Sequence, residues 1–319
     1  MASVSAAIAS SKQYFSAIQR GDLQAFLPLL YSRGPNLIEA ESGKTALQLA
    51  VLAQRPAIVD AILSHAYGLG HLNTTTDAGV YPLLQACGQQ PCAGPERLEI
   101  VKRLLACKAL DLNYACERKV STPSPWGPAH PPSVSKQYDG TPLLMAILCK
   151  DVEVVELLCA DERLDPNYTP WSAPPLSFAV STKASAEIID ALLRNPKVEV
   201  NRLCASSKGY SAMHYAVLRG DPVIIARIGH HKDANLTLKS RGSSKTPMEL
   251  AETQEVKDLL LDININRMHL DMERRAGKAI GGRLAYAPSD LMSAPDDASS
   301  WRSKGAGMMR PQQQQLPPW

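Results

Sequence analysis

The sequence predicts an all-α solenoid of stacked antiparallel helix pairs, joined by short turn hairpins and followed by a disordered C-terminal tail. Three observations carry this reading: an internal repeat, an apolar face that recurs after each copy of it, and an Asn that closes most units. The repeat is a small residue or Pro, then Leu or Met, then Ala three positions on. It occurs at Ala46-Leu47/Ala50, Pro82-Leu83/Ala86, Pro142-Leu143/Ala146, Pro175-Leu176/Ala179, Ala212-Met213/Ala216 and Pro247-Met248/Ala251. Successive Leu/Met positions differ by 36, 60, 33, 37 and 35 residues. A regular period of this size is the mark of a repeat array. The long step is one ordinary repeat plus an insertion, because residues 117–137 are rich in Pro and Ser.

Each unit reads as turn, short helix, tight turn, second helix, loop. Thr45, Thr141 and Thr246 suit the start of the first helix, where a side-chain oxygen caps an unpaired amide; Pro82, Pro142 and Pro247 sit in its first turn, where no amide is needed. Leu and Ala three apart share the face that meets the second helix. That helix is marked by the apolar pairs Ile58-Val59, Ile100-Val101, Val154-Val155, Ile188-Ile189 and Ile224-Ile225, with a second pair four and five positions on, such as Ile62-Leu63 and Leu192-Leu193. Positions i, i+1, i+4 and i+5 form one helix face. Asn73, Asn113, Asn167, Asn201 and Asn235 fall in the exit turns, where the Asn side chain bonds nearby backbone.

The ends follow the same logic. Residues 1–11 are expected to be disordered. Residues 12–40 fit an atypical first unit, with Phe15, Ile18, Leu23, Phe26, Leu29 and Leu30 on its apolar face and Arg20-Gly21-Asp22 as the turn. Such a unit caps the otherwise exposed end of the array. The array runs from 12 to 264, closing with a shortened unit in which Leu259, Leu260 and Leu261 cover the stack. Residues 265–319 hold eight bases against five acids, so the tail carries the formal charge of +3 and the rest is neutral. Met268, Leu270 and Met272 extend a helix to about Ala276; beyond Gly281-Gly282 the Pro-, Ser- and Gln-rich sequence cannot bury enough apolar area to order itself.

These units resemble ankyrin repeats, whose period is about 33 residues and whose signature is Thr-Pro-Leu-His-x-Ala. The nearest copies are Thr141-Pro142-Leu143-Leu144-Met145-Ala146 and Ser211-Ala212-Met213-His214-Tyr215-Ala216, preceded by the turns Asp139-Gly140 and Lys208-Gly209. The resemblance covers about residues 12–264, in six to seven repeats. It departs from the pattern in that only one unit keeps the His, and the unit from Trp171 lacks the Gly turn.

Composition excludes several functions. Lys and Arg number 34 against 31 for Asp and Glu, too balanced for a dedicated nucleic-acid binder. No apolar run is long enough to span a membrane. Seven cysteines at irregular spacing in a chain of 319 residues do not make a secreted disulfide scaffold; they suit a reducing compartment, the cytoplasm, with the nucleus open to a chain this small. The three glycosylation sequons, at Asn73, Asn167 and Asn235, fall on the repeat's own Asn positions.

Chemistry-bearing motifs are missing. Gly43-Lys44-Thr45 ends like a phosphate loop, but Ile38 stands where the motif needs Gly. Cys87/Cys92 and Cys107/Cys116 lack zinc spacing. There is no catalytic constellation, so the expectation is a non-enzyme with no cofactor and no metal. The function expected is a protein-interaction scaffold or adaptor, monomeric by itself, with another protein as partner. The alternative is a regulatory or targeting subunit that uses the tail or the Pro-rich loop as a second contact; Pro128-Ala129-His130-Pro131 has the spacing of a polyproline ligand, and Thr122-Pro123 and Ser124-Pro125 that of phosphorylation sites. The resemblance implies a partner-binding concave face made by the residue before each first helix's start and the two residues after its Ala pair. Carried over, these are Lys44, Leu52 and Ala53; Val80, Gly88 and Gln89; Leu148 and Cys149; Ser181 and Thr182; Tyr210, Leu218 and Arg219; and Lys245.

Overall fold

The structure is a computed structural model that describes residues 2–73, 81–88, 94–115, 117–122, 133–138, 140–170 and 172–279. The chain divides into two compact units, Met1–Leu260 and Leu261–Trp319. The first holds six helix pairs: α1 (Ala2–Arg20) with α2 (Leu23–Arg33), α3 (Ala46–Leu52) with α4 (Pro56–Ser64), and α5 (Pro82–Gly88) with α6 (Pro95–Ala106). Then come α7 (Pro142–Leu148) with α8 (Val152–Ala160), α9 (Pro175–Ser181) with α10 (Ala186–Arg194), and α11 (Ala212–Arg219) with α12 (Pro222–Gly229). A single turn, α13 (Pro247–Leu250), starts a seventh repeat.

The pairs stack in two layers. Every first helix packs on the next first helix, from α1 through α3, α5, α7, α9 and α11 to α13, and the second helices form a parallel row from α2 to α12. Between the layers lies the core the repeats encode. Ala50, Ala86, Ala146, Ala179 and Ala216 are fully buried, as are Val59, Val101, Val155, Ile189 and Ile225 of the facing helices. Ala at the crossing lets the two helix backbones approach; a larger side chain would push them apart. In the first pair Phe15, Ile18, Phe26 and Leu30 are buried, with Tyr14 set edge-on to Phe15 and tilted against Phe26; Leu23 and Leu29 are only half-buried.

Capping fixes where the short helices begin. Thr45, Thr141 and Thr246 each accept a bond from the amide three residues on, and Gln48 and Glu249 return one to the cap's own amide. Asp151 and Asp221 cap α8 and α12 in the same way. Asp151 also meets Arg97 of α6 in a buried ion pair that ties neighbouring second helices together. The exit-turn Asn residues do more than close their own unit. The Nδ2 of Asn73, Asn113, Asn167 and Asn201 donates to the carbonyls of Ala109, Arg163, Lys197 and Asp233 in the following repeat. Their Oδ1 atoms accept from the amides of Asp111, Asp165, Glu199 and Asn235. Each Asn thus staples one repeat to the next through two bonds, which is why the sequons coincide with these positions. Asn167 is buried with its amide nitrogen occupied.

Two expectations are corrected. Residues 2–11 are not disordered: α1 begins at Ala2, because Ala6, Ala7 and Ala9 are strong helix formers that need no core to continue the helix. The insertion at 117–137 is not a plain loop. Its flanks pair as antiparallel strands, β1 (Glu117–Thr122) and β2 (Ser133–Tyr138), in the register Glu117↔Tyr138 to Thr122↔Ser133. The prolines, which cannot donate to a ladder, are confined between the strands; residues 123–132, with the polyproline-like motif, lie outside the described residues. The helix expected to extend to about Ala276 is present. Helix α14 (Gln254–Ala279) runs on past Asn264, since neither Gly nor Pro interrupts it before Gly277. Leu260 is buried and Leu259 half-buried, but Leu261 is exposed. The Pro- and Gln-rich residues from 280 on lie outside the described residues.

Candidate partner-binding face

The last residue or turn of each first helix faces away from the second layer, and it is there that the expected site residues are found. Leu148 ends α7 with 49% of its surface exposed, and Leu218, one residue from the end of α11, has 41%. Between them Ser181 ends α9 half-buried, its hydroxyl donating to the Phe178 carbonyl at 2.8 Å. Leu52 ends α3 and is half-buried. Since α7, α9 and α11 are successive neighbours, Leu148, Ser181 and Leu218 form one row across three repeats.

The turn residues behave differently. Lys44 is half-buried and Lys245 exposed; the main-chain carbonyl of Lys245 accepts from His214 Nε2 at 3.0 Å. Arg219 reaches Asp221 at 3.0 Å and the Ala184 carbonyl at 3.4 Å, so it braces the turn between neighbouring repeats. Tyr210 does not belong to an open face. It is buried, its ring stacked on His214 and set edge-on to Tyr215, because three consecutive aromatic or imidazole rings of one turn and helix start pack on one another. Val80 and Gln89 lie outside the described residues.

The face also contains residues the family pattern did not supply. The position before each Ala is Leu49, Gln85, Met145, Phe178, Tyr215 and Leu250. Met145 lies over Gly88 of the preceding repeat, where an added Cβ would come within 2.8 Å of its Cε. Met145 and Tyr215 are half-buried and stand one helical turn from Leu148 and Leu218. That i, i+3 spacing was the signal available in the sequence. Burial pushes the Tyr215 phenol up to about 12, helped by the neighbouring Cys204. Burial likewise raises the Cys87 and Cys159 thiols to about 12.

Nothing among these groups is arranged for acid–base or metal chemistry. Among the described residues no three His, Cys, Asp or Glu side chains converge as metal ligands. Thr45 of the Gly-Lys-Thr triplet spends its hydroxyl as the α3 cap. No described helix is long and apolar enough to cross a membrane.

Among solved structures, the ankyrin repeat domain of Bcl-3, a member of the IκB protein family, matches with a TM-score of 0.60 over 78% of this chain and 97% of that domain, at 22% identity. The chain is an ankyrin-repeat array. The human ASB11 ankyrin repeat domain matches at a TM-score of 0.50 and 21% identity, over 78% of this chain and 96% of that one. An ankyrin repeat protein from Leishmania major matches at 0.52 and 16% identity, over 79% and 81%. No protein-family model matches the sequence, and no curated protein does. At these identities the likeness establishes the ankyrin architecture.

Proposed function

We propose that this ankyrin array is a non-catalytic interaction scaffold that holds a protein partner on its concave, first-helix face. The observation that carries the reading is the pair Leu148 and Leu218: two large apolar side chains, about half open to solvent, at corresponding ends of first helices two repeats apart. Core packing gives no reason for Leu at either position, whereas apolar side chains flanked by Met145 and Tyr215 offer a partner a row to bury against. The chain acts alone as a monomer in a reducing compartment; Cys87 and Cys204, buried as free thiols, support that setting. The test replaces Leu148 and Leu218 together by Ala and compares proteins co-purified from cells. Loss of the partner with unchanged helicity and melting is the expected result. Full recovery of the partner by an intact double variant would move the site off this face.

A further inference from the structure

The turns that follow these first helices carry a second feature. Among the described residues, the turn reverses the chain through a left-handed residue that is Gly at α1–α2 and α11–α12, at φ +76° and +67°, and Gln54 at α3–α4, at φ +53°. At α7–α8 and α9–α10 it is Lys150 and Lys183, both at φ +57°. A long side chain gains nothing from that conformation, which Gly adopts freely. The hydrogen bonds of the turn are the same in either case: Lys150 and Lys183 donate to the carbonyls of Ile147 and Val180, as Gly220 donates to that of Val217. Fold therefore supplies no reason for lysine at these two places.

Their surroundings supply one. Lys150 and Lys183 are exposed, two residues beyond Leu148 and Ser181. Of the acids near these turns, Asp151 pairs with Arg97 and Asp221 with Arg219, while Glu153 and Glu187 stand exposed in the first turns of α8 and α10. Lys150 and Lys183 are the cations at the edge of the apolar row. Resting on the concave-face reading, we infer that the ligand is an acidic amphipathic helix, its apolar side on Leu148, Met145, Tyr215 and Leu218 and its carboxylates on Lys150 and Lys183. Helices in contact lie about 8–10 Å apart, so the row from α7 to α11 spans roughly 20 Å. A helix of about 14 residues covers that length.

The probe is a fluorescent 14-residue peptide with Leu along one helical face and Glu on its flanks, beside a second peptide with Gln in place of Glu. Fluorescence anisotropy is expected to show the Glu peptide binding more tightly than the Gln peptide, and more weakly as salt rises. Lys150→Gly with Lys183→Gly should weaken the Glu peptide at least about tenfold while leaving the Gln peptide unchanged. The same variant should melt no lower than the wild type, because Gly relieves both turns. Lys150→Arg with Lys183→Arg should keep the affinity. Equal binding of the two peptides, or no binding of the Glu peptide, overturns the inference, as does a single-stranded oligonucleotide of equal charge that binds as tightly. Leu148→Ser with Leu218→Ser separates the two readings. Loss of both peptides in that variant upholds the face even where the lysines prove idle, whereas unchanged binding of both overturns the face itself.

Discussion

At the scale of single residues, the repeat's third helix position shows one task solved by different side chains. Gln48 and Glu249 hold their cap's amide through a side-chain oxygen, at 2.9 and 2.7 Å. His214 does it with Nδ1, which accepts from the Ser211 amide at 3.2 Å and lies 2.7 Å from the Ser211 hydroxyl. Its Nε2 must carry the proton, since its partner is the Lys245 carbonyl, which only accepts. Protonating Nδ1 would turn that acceptor into a donor. Burial accordingly holds the His214 pKa below the usual histidine value, opposed by its hydrogen bonds to the main chain. The sign follows. A folded pKa depressed below the unfolded one gives stability that is present above the ordinary histidine range and lost as pH falls through the folded value. Melting temperature should therefore fall between about pH 7 and about pH 5, and His214→Gln should flatten the fall while keeping the capping box, as Gln48 does. An equal fall in both proteins, measured by thermal melting, would assign the acid sensitivity to other groups.

At the scale of elements, helix starts and pairings were legible because each is written locally. Thr45, Thr141 and Thr246 cap the helices they precede, and the paired β-branched residues mark the buried side of each second helix. The β1–β2 hairpin was not legible. The segments Glu117–Thr122 and Ser133–Tyr138 hold one Val each and no regular alternation of apolar and polar residues, and the prolines between them dominate the local signal. The stack ignores the hairpin: α5 packs on α7 and α6 on α8 although the insertion separates them in sequence. Loop closure depends only weakly on length. Replacing Glu117–Tyr138 by a short Gly-Ser linker should therefore leave helicity intact and shift the melting temperature by no more than a few degrees. A loss of cooperative melting would show that the hairpin supports the third and fourth repeats.

At the scale of the whole molecule, a repeat array draws its stability from each unit and its nearest neighbours. The same locality decides how much of the candidate face could be read. That Leu148 and Leu218 turn to solvent could be read because register within a helix fixes which way a side chain points. The burial of Tyr210 could not, because it depends on His214 and Tyr215 lying beside it in three dimensions. Met145 was missed because its contact, Gly88, belongs to another repeat. Locality also bears on the C-terminal region. The unit Met1–Leu260 contains all six helix pairs and the Asn staples between repeats. In the unit that follows, the described apolar side chains of α14 beyond Asn264, namely Ile265, Met268, Leu270 and Met272, are exposed. Stabilisation scales at roughly 25 cal/mol per Å² of apolar area removed from water, and exposed side chains remove little. Truncation after Asn264 should leave far-UV circular dichroism helical and lower the melting temperature by at most a few degrees. A larger drop would mean that the segment stabilises the array through surface that is buried only when the full chain is present.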